Sequence, residues 1–139
     1  MNNKKIINKF TNLIMKDGKK STASNLLKKG IKEASSELNI KEEDLLNKVL
    51  ENVKPLIDAR SKRVGRNSYI IPYAITEDQS INLGLKIIVK NTRLRKEKSF
   101  LIKLKNEFID IFNNRGASIK QRNEIHKLAE ANKSFAFYR

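Results

Sequence analysis

The sequence predicts a mainly α-helical domain, a bundle of about six helices with a two-stranded β-hairpin arm protruding between the third and the fourth. Apolar residues recur at helical spacing in six segments of the chain. The helical period breaks once, over about residues 56–75, where two β-prone segments flank Gly65, Arg66 and Asn67. A chain of 139 residues is typical of a single domain, here residues 1–139.

The first two helices are separated by a stop signal. Residues 6–14 carry an apolar stripe at helical spacing. Asp17-Gly18 follows it, and such a pair commonly terminates a helix. We expect Ser21 or Thr22 to cap the second helix, whose apolar stripe continues to Leu38.

The boundaries of the other helices follow from similar signals. We expect the third to begin near Lys41, with three acidic residues in its first turn that complement the helix dipole, and to stop at Pro55. The fourth should run out near Arg93, and the fifth should close at Arg115-Gly116. Ser118 is expected to cap the sixth.

The charge of the chain is large and unevenly distributed. Lys and Arg number 30 against 15 Asp and Glu, which gives a net charge of +15. Residues 1–20 hold six lysines and one aspartate, whereas residues 21–56 are neutral. A merely solubilising charge has no reason to avoid one helix pair, so the asymmetry favours a face that binds a polyanion. We expect nucleic acid rather than a membrane, because the basic residues are spread over the whole fold.

Catalysis finds little support in the residue inventory. The chain has no cysteine and one histidine, which excludes disulfides, thiol catalysis and Cys/His zinc sites. His126 lies mid-helix and is interpreted as a structural or RNA-adjacent residue rather than a general base. We predict no catalytic residue, no metal, no cofactor and no small-molecule substrate, and we find neither a signal peptide nor an apolar run of membrane-spanning length.

Two basic segments are candidates for contact with nucleic acid. The segment Gly18-Lys19-Lys20-Ser21 resembles the end of a nucleotide-binding loop but lacks its upstream glycine, so the two lysines are expected to bind backbone phosphates, with a solvated loop as the alternative. In the hairpin, four cations suggest RNA contact, with a solvated ribbon as the alternative. They are Arg60, Lys62, Arg63 and Arg66.

The hairpin also raises a question of stability. A lone two-stranded ribbon is marginal in water, so either the helical body at its base or a ligand at its tip must hold it. Tyr69 and Tyr73 share one strand face, where packing against the helices is expected and base stacking is the alternative.

Four separated stretches resemble the bacterial-type small-subunit ribosomal protein seven family, in the family's order and spacing and over about residues 9–139. They are DGKKSTA at 17–23, LENVKP at 50–55, SKRVG at 61–65 and AEANKSFA at 129–136.

The resemblance implies a structural protein that binds the 3′ major (head) domain of small-subunit rRNA and helps to assemble the head. It places the hairpin near the mRNA exit and the E-site tRNA, and it makes small-subunit ribosomal protein eleven a neighbour. The implied rRNA-binding residues are Lys9, Lys16, Lys19, Lys20, Arg60, Arg93, Arg95, Arg115, Lys120 and Arg122. The implied hairpin-tip residues are Lys62, Arg63 and Arg66.

Two departures from the family and one bias in composition qualify the resemblance. Only about eight residues precede Lys9, and Arg66 stands where the family usually has glycine. The 22 Lys, 17 Ile and 16 Asn have A/T-rich codons. We expect the small ribosomal subunit of a mitochondrion as the location, with a plastid or the bacterial cytoplasm as alternatives. The alternative functions are a free RNA-modifying enzyme and a helix-turn-helix DNA-binding protein.

Overall fold

The computed structural model describes residues 3–133, apart from the side chain of Val64. Within them lie six helices and one antiparallel two-stranded sheet between the third and fourth helices, so the predicted fold class is confirmed. Residues 134–136, the end of the last family-like stretch, are outside this range. The elements are α1 (Asn3–Ile14), α2 (Lys20–Leu38), α3 (Glu42–Val53), β1 (Ile57–Val64), β2 (Asn67–Ala74), α4 (Glu77–Arg93), α5 (Phe100–Phe112) and α6 (Ala117–Ala131).

The core is built by the apolar faces that the sequence predicts. Phe10 of α1 and Phe108 of α5 meet edge to face, with ring centroids 5.8 Å apart, and both are buried. Leu27 of α2 is fully buried. A Cβ added at Gly30 would lie 3.0 Å from Leu104 Cδ2, so α2 and α5 pack too closely for a larger residue there without a shift.

The predicted cap of α2 is wrong. The helix begins at Lys20 with Lys19 as its N-cap residue, and Ser21 and Thr22 lie exposed in its first turn. The reason is the tight turn before it, in which the Lys19 N–H donates to the Lys16 carbonyl oxygen at 3.1 Å. Asp17 and Gly18 have φ of +54° and +74°, so the chain reverses and enters the helix two or three residues earlier than a cap at Ser21 or Thr22 would require.

The predicted cap of α6 is also wrong, for a tertiary reason. Gly116, with φ of +96°, is the N-cap residue, and the helix starts at Ala117. Ser118 is fully buried, and its Oγ donates to Glu107 Oε1 at 2.6 Å. The fifth helix ends at Phe112, before the predicted Arg115-Gly116, and Asn114 has a left-handed φ of +56° in the turn that follows.

The hairpin is held by the helical body at its base. Its strands pair from Ile57 opposite Ala74 to Val64 opposite Asn67, within the predicted range. The turn is Gly65-Arg66, and Gly65 has the positive φ, +62°, that a tight hairpin turn needs at its first position. Helix α6 packs against both strands, and the backbone N–H of Leu56 donates to His126 Nε2 at 2.9 Å. The structural interpretation of His126 is therefore confirmed.

Candidate nucleic-acid interface

Three predicted lysines project from the corner between α1 and α2. Lys16, Lys19 and Lys20 are exposed, and within residues 3–133 their side chains form no ion pair or hydrogen bond. The positive φ of Asp17 and Gly18 makes a tight turn between the two helices. The three lysines lie in this turn or at the start of α2. Helix N-termini carry unpaired N–H groups and a positive dipole end, so the corner is electrostatically suited to phosphate.

Arg93 reaches the same corner from the end of α4. Its Nη2 donates to the carbonyl oxygens of Leu13 and Ile14 at 3.0 and 3.4 Å, the last carbonyls of α1. This contact binds a cation to a helix C-terminus and joins two helices. Lys9, farther back on α1, is half-buried and donates from Nζ to Asn82 Oδ1 of α4 at 3.2 Å.

The cations of the hairpin differ in the contacts that they make within the protein. Arg60 pairs with Asp58 at 2.9 Å and lies over the ring of Tyr73, 5.3 Å from its centroid. Arg63 donates from Nε to the Gly65 carbonyl oxygen at 3.3 Å, and both Arg63 and Arg66 are exposed. Arg60 is exposed too, but the two arginines nearest the turn are the exposed ones that form no ion pair within residues 3–133. Lys62 is half-buried.

Two other predicted RNA-binding arginines lie in an ion-pair network between the α4–α5 loop, α5 and the start of α6. Arg95 contacts the carboxylates of Glu97, Glu107 and Asp110, each at 3.0 Å. Arg115 pairs with the second oxygen of Asp110 at 3.2 Å. Partial burial opposes the charge of Arg95, but the carboxylates outweigh it and raise its pKa above the ordinary value. The hydrogen bond from Arg95 in turn lowers the pKa of Glu97 to about 2.

The last two predicted residues lie on α6. Lys120 is exposed near the start of the helix. Arg122 is half-buried, and its Nη1 donates to the carbonyl oxygen of Asn52 at the end of α3, while Nη2 donates to Asn123 Oδ1 at 2.8 Å. Arg122 therefore fastens α6 to α3 much as Arg93 fastens α4 to α1.

The predicted cations do not form one surface with one role. The structure brings Lys16, Lys19 and Arg93 around one cavity at the α1–α2 corner, with Lys20 at the adjoining start of α2 and with Arg63 and Arg66 on the separate arm. Arg95, Arg115 and Arg122 have intramolecular partners, which motif reasoning missed because the partners lie on other elements. The one available signal was Glu107, an acid on the apolar face of α5, which is fully buried. RNA binding by each of these residues stays a prediction.

Two structural features bear on other kinds of site. No group of three or more His, Asp or Glu side chains suited to a metal ion is found among the described residues. Within the same part of the chain, no helix is both long enough and apolar enough to cross a membrane.

Comparison with known proteins puts the chain among the structural proteins of the small ribosomal subunit. The family model described as "Ribosomal protein S7p/S5e" matches residues 1–133. The chain belongs to this family, as its four motifs indicate.

Three relatives, each named "Small ribosomal subunit protein uS7", show how extensive the similarity is. The protein of Geotalea uraniireducens (strain Rf4) is 40% identical over 135 residues, which are 97% of this chain and 86% of the relative. Those of Desulfatibacillum aliphaticivorans and Mesoplasma florum are 40% and 39% identical over 140 residues, 99% of this chain and 88% of each relative. All three are from bacteria, and the similarity extends well beyond the four motifs.

Proposed function

We propose that this protein binds the 3′ major (head) domain of small-subunit rRNA and helps to assemble the head, without catalysing a reaction. The observation that carries the proposal is the α1–α2 corner, where Lys16, Lys19 and Lys20 project near Arg93 and form no ion pair within residues 3–133. Cations in this arrangement neutralise converging phosphates, release counterions and so let RNA helices pack. Phosphate contacts fix position, and base readout is secondary.

Some lysines away from the corner are neutralised within the fold. Lys105 pairs with Glu37 at 2.8 Å, and Lys54 pairs with Glu77 at 2.6 Å. The first turn of α3 carries three exposed acidic residues. A polyanion is attracted more strongly to the unpaired lysines of the corner than to these parts of the surface, so the charge distribution favours docking at the corner.

The hairpin is proposed to lie near the mRNA exit and the E-site tRNA. Its base is fixed by α6, while Arg63 and Arg66 stand exposed at the turn. An arm anchored at one end and charged at the other suits contact with RNA beyond the docking surface. We also propose small-subunit ribosomal protein eleven as a neighbour, on the strength of the family resemblance.

The cellular location is proposed from composition. The abundance of Lys, Ile and Asn supports an A/T-rich genome, and we propose a mitochondrial ribosome on that ground. Sedimentation of purified organelle ribosomes followed by mass spectrometry tests this. The protein should appear in the mitochondrial small subunit, and its presence in plastid or bacterial small subunits alone would contradict the proposal.

Hydroxyl-radical footprinting tests the head-domain assignment. Full-length protein is mixed with transcripts of the 5′, central and 3′ major domains of small-subunit rRNA, each at the same ionic strength. We expect protections confined to the 3′ major domain. Equal protection of all three domains would show that the protein binds RNA non-specifically as a polycation. Mass spectrometry of the RNA after incubation tests the alternative, since an altered nucleotide mass would indicate an RNA-modifying enzyme.

A further inference from the structure

A cavity of about 250 Å³ opens beside the α1–α2 corner and differs in character from the cations around it. Its rim carries Lys16, Lys19 and Arg93, all exposed. Its floor is apolar and combines buried with half-buried side chains. The floor residues are Ile14, Ala23, Leu26 and Phe100. A phosphate group alone would not be stabilised by such a floor, because an apolar surface does not solvate an anion.

Two planar groups line this cavity. The ring of Phe100 is half-buried in its floor. The Arg93 guanidinium stands at its edge and is held in place by the hydrogen bonds from Nη2 to the carbonyl oxygens of Leu13 and Ile14. Unpaired RNA bases are commonly recognised by stacking on aromatic rings or on Arg guanidinium planes. A guanidinium already fixed by hydrogen bonds loses little freedom when a base binds against it.

We propose that the cavity takes the base of one unpaired RNA nucleotide, while Lys16 and Lys19 bind the phosphates on either side of it. The inference rests on the proposed RNA-binding function and adds a base-binding subsite to an otherwise electrostatic surface. Charge complementarity selects this occupant over an apolar side chain of a protein. Among residues 3–133 no carboxylate lines the cavity, and an apolar protein side chain there would leave the rim lysines without counter-charge.

Methyl NMR of the full-length protein with two probes tests the base itself. One probe is a single-stranded RNA tetranucleotide, and the other is the same ribose-phosphate backbone without bases. We expect ring-current shifts of the Ala23 and Leu26 methyl signals with the tetranucleotide only. Equal shifts with the abasic probe would show that the cavity region binds phosphate and not a base. If the tetranucleotide bound but the Ala23 and Leu26 methyl signals did not move, the base would not occupy the cavity. Either result overturns the inference.

A pair of neighbouring substitutions provides a matched control. Thr22 lines the cavity and Ser21 does not, although both are exposed in the first turn of α2. Thr22→Leu should obstruct the opening and weaken tetranucleotide binding about tenfold, within the range measured for loss of one base stack. Ser21→Leu should leave the affinity unchanged, and abasic binding should be unchanged in both variants. Equal affinities of the two variants for the tetranucleotide would refute the subsite.

The same measurements separate failure of the subsite from failure of the proposed function. If base-bearing and abasic probes bind equally and head-domain RNA is still footprinted, the subsite is wrong and the function stands. If neither probe binds and the head-domain RNA is not protected, both are wrong.

Discussion

The basic side chains of this protein differ in what their charges face. Arg95 faces three carboxylates, one of them the fully buried Glu107, whereas Lys19 and Lys20 face solvent. A cation already neutralised within the fold gains less from a phosphate than one that is not. We therefore expect substitutions of the two kinds to affect different measurements, namely stability for Arg95 and RNA affinity for the lysines.

Arg95→Ala should lower the free energy of unfolding by about 3–5 kcal/mol, because it leaves the buried Glu107 carboxylate with Ser118 as its remaining partner. Urea denaturation measures this, and Lys96→Ala, at the exposed next residue, is the control. If both variants unfolded at the wild-type urea concentration, Arg95 would have no structural role and would be available to RNA.

His126 should make stability depend on pH. Burial, and secondarily the charge of Arg122, lower its pKa below the ordinary 6.5. As the pH falls through 6.5 the unfolded chain takes up a proton first, so the free energy of unfolding should decrease and then level off below the native pKa. Protonation of Nε2 also removes the acceptor of the Leu56 N–H.

Urea denaturation between pH 7.5 and 5.5 tests this cleanly, since the chain contains one histidine. His126→Gln should be less stable at the higher pH and lose the dependence. A wild-type protein equally stable at both pH values would contradict the native geometry assigned to His126.

At the scale of the element, the hairpin separates anchoring from contact. Its base is tied to α6 through His126 and to α4 through Ser80, whose Oγ donates to the Pro55 carbonyl oxygen at 2.5 Å. Its turn carries the exposed Arg63 and Arg66. Changes at the turn should therefore leave the fold intact.

The double substitution Arg63→Ala/Arg66→Ala should shift the thermal midpoint little, because exposed surface substitutions usually cost less than about 0.5 kcal/mol. Footprinting of reconstituted subunits should show retained head-domain protection and lost protection near the mRNA exit and the E site. Unfolding of the variant, or survival of every protection, would make the arm a structural strut.

Helix α2 contributes its apolar face to the core through Leu27, which is fully buried. Leu27→Ala should reduce the free energy of unfolding by about 2–5 kcal/mol, from lost transfer energy and the cavity left behind. Leu26→Ala, one residue earlier and half-buried, should cost less. If urea denaturation showed a larger loss of unfolding free energy for Leu26→Ala than for Leu27→Ala, the buried face of α2 would be misassigned.

The elements were predictable where their signals are local. The stripe through Leu27 follows from spacing alone, and the hairpin from Gly65 between two β-prone segments. The failed prediction of the α6 cap has a tertiary cause, since Ser118 turns inward to Glu107 and the cap falls instead to Gly116. Likewise the site residue Arg122 binds a carbonyl 70 positions away, which no local pattern reveals.

For the whole molecule, the decisive property is how the side chains that give the net charge of +15 are distributed over the surface. Binding driven by counterion release requires cations that converge on phosphates, whereas diffuse charge yields weak attraction from all sides. The structure concentrates unpaired lysines at the α1–α2 corner and leaves other exposed lysines scattered along α2 and α3. Two variants of equal charge can therefore distinguish a defined interface from a general polycation.

The most direct test compares the affinity for 3′ major domain RNA, as a function of salt, of wild type, Lys16→Ala/Lys19→Ala/Lys20→Ala and the charge-matched Lys28→Ala/Lys32→Ala/Lys48→Ala. The log–log slope of affinity against salt reports phosphates neutralised, at about 0.9 per contact on a duplex. The corner variant should lose affinity and reduce the slope by about 2 to 3, whereas the control variant should keep the wild-type slope. Equal losses of slope in the two variants would contradict a phosphate-binding interface at the α1–α2 corner.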